Sequence, residues 1–391
     1  MSISKLNVLN FSLMLSGLNF NREVTKSNRL RSRIRLGLFT VAICTGMFFT
    51  LFSFSGLDLE EVSWNVFVIL FHVSSLAKLV VMYVIENELR WAYVVLNDDL
   101  NVETPNSKRI RRVFVTFVSL AFTVMVSVSL HPLVTGQPHF PLYGFLPFST
   151  QEKAPYVFAY LLTTIITLVE CYCHIVFDSI VAVYGYRIYN RIIKLCKRFR
   201  ALKSYEELRE NIIEHIEILR ATGVFRMLIS VPYFLLIFGS VAQFCMLAFL
   251  IARFENLSKS LLHGSIIIDV MSQVFIYCWI GQQLTNAFDD LHLACYDNYW
   301  YMNTLETRKL LAIVMTVTKK PVIFKGCYVV DMSYRMFLKR YKIEGEAFLD
   351  AIVTGDETRV CRCTLESKRR SKQWCHIHST SSLWSERPSM L

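Results

Sequence analysis

Apolar and polar positions along this chain fall into long blocks instead of alternating or recurring at helical spacing. Residues 36–57, 113–134 and 227–252 hold no charged side chain, and 64–85 hold one, Lys78. Residues 156–184 and 261–285 are as long and as apolar but include acids. An apolar run of about 18 or more residues can cross a bilayer as a helix, which satisfies its own backbone groups inside lipid. The pattern therefore predicts six spanning helices over these ranges. Lys78 sits toward one end of its span, where its long stem is expected to carry the ammonium to the interface. From about residue 340 the blocks stop, and the chain to Leu391 is polar and charged with no apolar run of spanning length.

The charges between the blocks give the orientation. Lys and Arg number seven before the first span, none in 58–63, five in 86–112, one in 135–155, ten in 185–226 and two in 253–260. Basic residues gather on the cytoplasmic side of a membrane protein, so the alternation places residues 1–35 in the cytoplasm. Arg22, Lys26, Arg29, Arg31, Arg33 and Arg35 lie directly before the first span, unlike a cleaved secretion signal. This orientation is the reverse of a G-protein-coupled receptor.

Composition agrees with the membrane class: 53% hydrophobic, 14% aromatic and 19% charged, with a mean hydropathy of +0.38. The net charge of +11 is spread over cytoplasmic loops beside an anionic leaflet and does not point to nucleic acid. Eleven cysteines are scattered through spans and cytoplasmic segments, so no disulfide framework is expected. Asn256 begins an Asn-Leu-Ser glycosylation sequence on a segment read as external.

Ionisable residues inside the spans are the first functional candidates, because charge in lipid is costly. Glu170, His174 and Asp178 recur every fourth residue and share one helix face. Glu170 is read as a polar partner within the bundle. Asp178 is read as lying where the helix leaves the membrane, and so as solvated. Asp269 in the sixth span either pairs with another helix or lines a cavity.

After the sixth span come Cys278, Ala294, Tyr296, Trp300, Tyr301, Arg308, Lys309, Leu310, Leu311, Lys320, Pro321, Gly326, Ser333, Phe337, Leu338 and Lys339. Their order and spacing resemble the C-terminal signature of insect odorant receptors, and Leu146, Pro147 and Phe148 resemble that family too. The resemblance covers about residues 1–339 and departs from the family at Lys319, where a Gln is usual. It implies an all-α, polytopic membrane helical bundle with a cytoplasmic N-terminus and a seventh helix split in two. It also implies an odorant-gated cation channel in which a tuning subunit joins a shared co-receptor in a heterotetramer. Residues 36–307 would form the bundle and 308–339 the anchor helix and the start of the pore helix, with the break at Lys319, Lys320 and Pro321. Trp300, Tyr301, Arg308, Lys309, Lys320 and Pro321 fall in the part that implies assembly. The ligand would be a small volatile molecule in the outer half of the second to sixth spans. Depth alone brings Phe67, Phe71, His72, Met125, Tyr156, Tyr160 and Thr164 to that level. Neither cofactor nor metal nor catalytic residue is implied. The expected location is the plasma membrane of olfactory sensory neurons, with lipid as the surrounding partner.

The tail is foreign to that family. Residues 340–346 carry four charges and a Gly where the pore helix should continue apolar, and each central charge would cost about 2.5–3.5 kcal/mol on insertion. Glu344, Gly345, Glu346, Ala347, Phe348, Leu349 and Asp350, then Val353, Thr354, Gly355, Asp356 and Glu357, then Glu366, Ser367, Lys368, Arg369 and Trp374 resemble mariner-type transposases. Asp356 matches the first metal-binding acid of those enzymes, and Arg359 departs from their usual Trp. The partner acids lie further downstream in that family, and one Asp cannot hold two metal ions, so no enzyme is expected. Cys361, Cys363, Cys375, His376 and His378 do not have the spacing of a zinc site. The segment 340–391 is expected to be poorly structured, to impair the pore, and to favour retention in the endoplasmic reticulum. A seven-span receptor that is not a channel and a fusion whose tail binds DNA are the alternative readings.

Overall fold

The computed structural model describes residues 26–52, 59–96, 116, 118–131, 152–252, 257–298, 300–334 and 338. The chain divides into two units, Met1–Glu346 and Ala347–Leu391, and every described residue belongs to the first. Asn256, the Leu146–Phe148 stretch and the tail with Asp356 and its Cys and His residues lie outside the described residues.

Eight α-helices make up the described part. They are α1 (Lys26–Leu51), α2 (Leu59–Val84), α3 (Glu86–Val95), α4 (Val118–His131), α5 (Lys153–Arg200), α6 (Tyr205–Ala252), α7 (Leu257–Tyr296) and α8 (Leu305–Thr318). A 3-10 turn, Trp300–Met302, precedes α8. The antiparallel pair β1 (Lys325–Gly326) and β2 (Val330–Asp331) follows it. Among the described residues, five helices are long and apolar enough to cross a membrane: α1, α2, α5, α6 and α7. The described part of the third span, α4, is a shorter apolar helix.

Two helices run far past their apolar blocks. With 48 residues each, α5 and α6 are about 72 Å long, against a hydrocarbon layer of about 30 Å. The basic segment 185–226 is therefore not a loop. It is a helical hairpin that continues both spans and turns only at 201–204. Charge holds that turn together. Lys197, Arg198 and Arg200 occupy the last turn of α5, and Glu206 and Glu207 the first turn of α6, each sign suited to its end of the helix dipole. The Ser204 hydroxyl accepts from the Glu207 amide at 3.2 Å, and the Glu207 carboxylate accepts from the Lys203 amide at 2.9 Å, a reciprocal cap. Arg191 reaches Glu214 and Glu217 across the hairpin at 3.7 and 3.4 Å, and Arg198 pairs with Glu214.

A large core fills the space between the extended halves of α5, α6 and α7, with Phe177, Ile188, Leu195, Phe199, Phe225, Leu228, Cys278 and Leu291 all buried. Short α3 docks on it through two cation–π contacts: Arg187 lies 4.3 Å from the Tyr93 ring and Arg220 4.0 Å from the Trp91 ring. A second, smaller core joins Trp64, Val68, Val124, Ile166, Leu247 and Ile266.

Helix α8 is capped by Thr304, whose hydroxyl accepts from the Thr307 amide at 3.4 Å. It stops at Thr318, before Lys320 and Pro321, where proline disfavours further helix. The chain then turns back to α6 and α7. Phe324 is fully buried, edge-on to Phe225 at 5.7 Å, and burial of a phenyl ring contributes about 1.5–3 kcal/mol. The Cys327 amide donates to the Ser230 carbonyl at 3.1 Å, two residues before the Pro232 that lies inside α6.

Candidate functional site

Three helices each place polar groups one turn apart on the face that meets the others. α2 supplies His72, Ser75 and Lys78; α5 supplies Glu170, His174 and Asp178; α7 supplies Asp269, Gln273 and Tyr277. The spacing follows from 3.6 residues per turn, so groups every third or fourth residue stack along one stripe.

Hydrogen bonds tie these stripes into two clusters. The Lys78 ammonium is 1% exposed and donates to Asp178 Oδ1 at 2.9 Å and to His174 Nδ1 at 2.8 Å. An ammonium can only donate, so His174 Nδ1 accepts and its proton sits on Nε2. That Nε2–H donates to Ser75 Oγ at 2.8 Å, and Ser75 donates to the Phe71 carbonyl at 3.0 Å. Asp178 also accepts from Gln273 Nε2 at 2.7 Å and from the Tyr277 hydroxyl at 2.6 Å. In the second cluster His72 Nδ1 meets Glu170 Oε1, while Nε2 lies 3.3 Å from Thr50 Oγ1. The Thr50 hydroxyl already donates to the Gly46 carbonyl at 2.9 Å, so His72 Nε2 donates to it. One further proton then lies between His72 and Glu170, whichever holds it, and the pair is neutral overall.

Beside these clusters lies a cavity of about 130 Å³ with walls from α2, α4, α5, α6 and α7. That is the scale of cavities that hold a single small ring. Trp64, Phe67, Val68, Phe71, Val124, Met125 and Val128 supply apolar lining, and Glu170, Asp178, Asp269, Gln243 and Gln273 supply polar lining. Phe71 stacks on His174 with centroids 4.3 Å apart, and Trp64 leans on Phe67 at 5.3 Å. Glu170 Oε2, Asp269 Oδ1 and Trp64 Nε1 are buried with no hydrogen-bond partner among the described residues.

The structure brings Phe67, Phe71 and Met125 together on the cavity wall with Glu170 and Asp269. His72 stands behind that wall, paired with Glu170. Tyr156, Tyr160 and Thr164 are not on the wall: Tyr160 donates to the Ser129 carbonyl, which holds it between α4 and α5. The sequence does not specify which way these three side chains turn on α5. Two expectations about charge are corrected. Lys78 does not reach the interface, and Asp178, 4% exposed, is not solvated; each is buried because the other is there. Gln273 and Tyr277 were missed. The signal was the four-residue recurrence from Asp269 through Gln273 to Tyr277, the same spacing that marked α5.

Among the assembly residues, Trp300 packs on the large core, while Tyr301, Arg308, Lys309, Lys320 and Pro321 are exposed on or beside α8. Cys196 and Cys295 lie in the core outside the apolar blocks, where burial raises their thiols to about 11 and about 12 and so disfavours the thiolate. All eight described cysteines are free, and no group of three or more metal-binding side chains occurs among the described residues.

Comparison with known proteins places the chain. The family model described as 7tm Odorant receptor matches residues 58–343. Odorant receptor 67a of Drosophila melanogaster is 25% identical over 157 residues, 37% of this chain and 38% of that protein. Odorant receptor 10 of Aedes albopictus is 20% identical over 240 residues, 59% of this chain and 64% of that protein. The matched stretches thus span less than two thirds of these relatives. The structure of the olfactory receptor OR5 from Machilis hrabei in complex with eugenol superposes with a TM-score of 0.76 at 14% identity. That match covers 90% of this chain and 97% of the OR5 chain and establishes the shared seven-transmembrane helical fold. The same receptor without eugenol gives 0.75 at 12% identity, covering 91% of this chain and 98% of that one. With the family match running over 58–343 of its 391 residues, the chain belongs to the insect odorant receptor family.

Proposed function

We propose that this chain is a tuning subunit of an odorant-gated cation channel, working with a co-receptor subunit in a heterotetramer at the plasma membrane of olfactory sensory neurons. The observation that carries the reading is the aromatic-lined cavity between five helices, of a size for one small volatile molecule. A related receptor of the same fold was solved with eugenol, a small aromatic compound. Trp300, Tyr301, Arg308, Lys309, Lys320 and Pro321 would face neighbouring subunits at the anchor.

The same reading makes the chain impaired as it stands. Four charges and a Gly follow Lys339 where a pore helix needs apolar residues, and the family match ends close by, at residue 343. The tail's likeness to a transposase fragment fits an insertion into a receptor gene. Retention in the endoplasmic reticulum would follow from such a C-terminus.

The test is cation current in cells expressing this chain with a co-receptor subunit, under a panel of small volatile ligands. No ligand-evoked current is expected from the chain as given. Current is expected once the residues after Lys339 are replaced by the apolar pore segment of a related receptor. Ligand-evoked current from the unaltered chain would overturn the impairment, and silence of the repaired chain toward every ligand would overturn the channel reading.

A further inference from the structure

The charges around the cavity do not balance. Lys78 and Asp178 neutralise each other at 2.9 Å. His72 and Glu170 share one proton and are neutral as a pair. Among the described residues Asp269 is then left without an ion-pair partner of its own, and its Oδ1 is buried and unpartnered on the cavity wall. Glu170, fully buried, offers a second unpartnered oxygen, Oε2, on the same wall. An uncompensated acid at membrane depth is costly, and such residues mark sites where a cation or a proton is handled. Trp64, Phe67 and Phe71 line the same cavity, and aromatic rings attract ammonium groups.

We propose that the cavity selects small ligands carrying a protonated amine, with the ammonium held by Asp269 and Glu170 Oε2 and the hydrocarbon part against the aromatic wall. The proposal rests on the reading of this cavity as the ligand site and specifies its ligand class. An ammonium satisfies both orphan oxygens and cancels the Asp269 charge. An alcohol would satisfy one hydrogen bond and leave the charge, and a hydrocarbon would do neither.

Three molecules of nearly one shape separate these cases: cyclohexylamine, cyclohexanol and methylcyclohexane. Their binding to the purified full chain in detergent is measured by calorimetry at neutral pH, with empty micelles subtracted. Cyclohexylamine is expected to bind at least tenfold more tightly than the other two. Asp269→Asn is expected to remove most of that advantage, and Glu170→Gln part of it, with methylcyclohexane unchanged. Equal binding of all three, or an alcohol or hydrocarbon preferred over the amine, overturns the amine proposal and leaves the cavity as a ligand site. An amine advantage that survives both substitutions also overturns it. Binding of none of the three overturns the proposal and the ligand-site reading together. The comparison on the unaltered chain decides the matter even where a variant fails to fold.

Discussion

Lys78 shows how much one side chain depends on its surroundings. Its stem is long enough to carry a charge to an interface, yet its ammonium is buried beside Asp178 and His174. Sequence gave the charge and its depth in the span, but the partner is a hundred residues away on α5. A buried ion pair with one partner removed leaves an uncompensated charge, which typically costs about 3–5 kcal/mol. Lys78→Met is expected to destabilise the protein by that order, and Asp178→Asn by a comparable amount. The double variant is expected to cost less than the sum by about 1.5 kcal/mol or more, since neighbouring charges couple. Thermal unfolding of all four forms in detergent measures the cycle. Strict additivity would mean that the two groups do not hold one another. Glu170 was legible because its face is marked by three polar groups in order on an apolar helix. Its partner His72 was not, since a lone histidine carries no sign of what it meets.

At the scale of elements, the apolar blocks marked where helices cross lipid but not where they end. Residues 185–226 look like a loop by charge, because charge is equally suited to a solvated helix. What continues α5 and α6 through them is their mutual packing and the capped turn at Ser204. The hairpin after α8 was not legible either. Its turn holds Cys327 and Tyr328 at φ of 44° and 62°, a conformation usually given to Asn and Gly. A non-glycine residue there costs about 1–2 kcal/mol. Tyr328 is 90% exposed, so Tyr328→Gly loses little packing and is expected to raise stability by about 1 kcal/mol. A drop in the unfolding temperature would show that the Tyr328 ring is doing more than its exposure suggests. The segment beyond the hairpin is held by close approach to α7. A Cβ at Gly281 would come within 2.5 Å of the Met332 carbonyl oxygen, whereas one at Gly264 would meet nothing within 4 Å. Gly281→Ala is therefore expected to destabilise by about 1–3 kcal/mol, as overpacking does. Gly264→Ala should be neutral or stabilising by up to about 1 kcal/mol, because alanine favours helix. Equal effects at the two glycines would remove the argument that Met332 is seated directly on α7.

For the whole molecule, a buried histidine outside the apolar blocks links folding to pH. His215 sits on the extension of α6 beyond its apolar block, 6% exposed, and burial holds its pKa below the usual 6.5. The folded chain therefore keeps His215 neutral at a pH where the unfolded chain has begun to protonate it. Below about pH 6.5 the unfolded state binds more protons, and stability falls as pH falls. Above that value both states hold a neutral ring and His215 contributes no slope. The decline continues until pH reaches the lowered folded value, at no more than about 1.4 kcal/mol per pH unit from one group. Unfolding temperature in detergent is expected to be flat from pH 8 to 7 and to drop between 6.5 and 5.5, with the drop reduced in His215→Gln. The replacement keeps a polar side chain of similar reach but cannot titrate, so any change in slope reports the proton and not the packing. An identical slope in the variant would assign the acid sensitivity to other groups. A slope of opposite sign would mean that the folded chain stabilises the imidazolium, which the burial of this ring argues against.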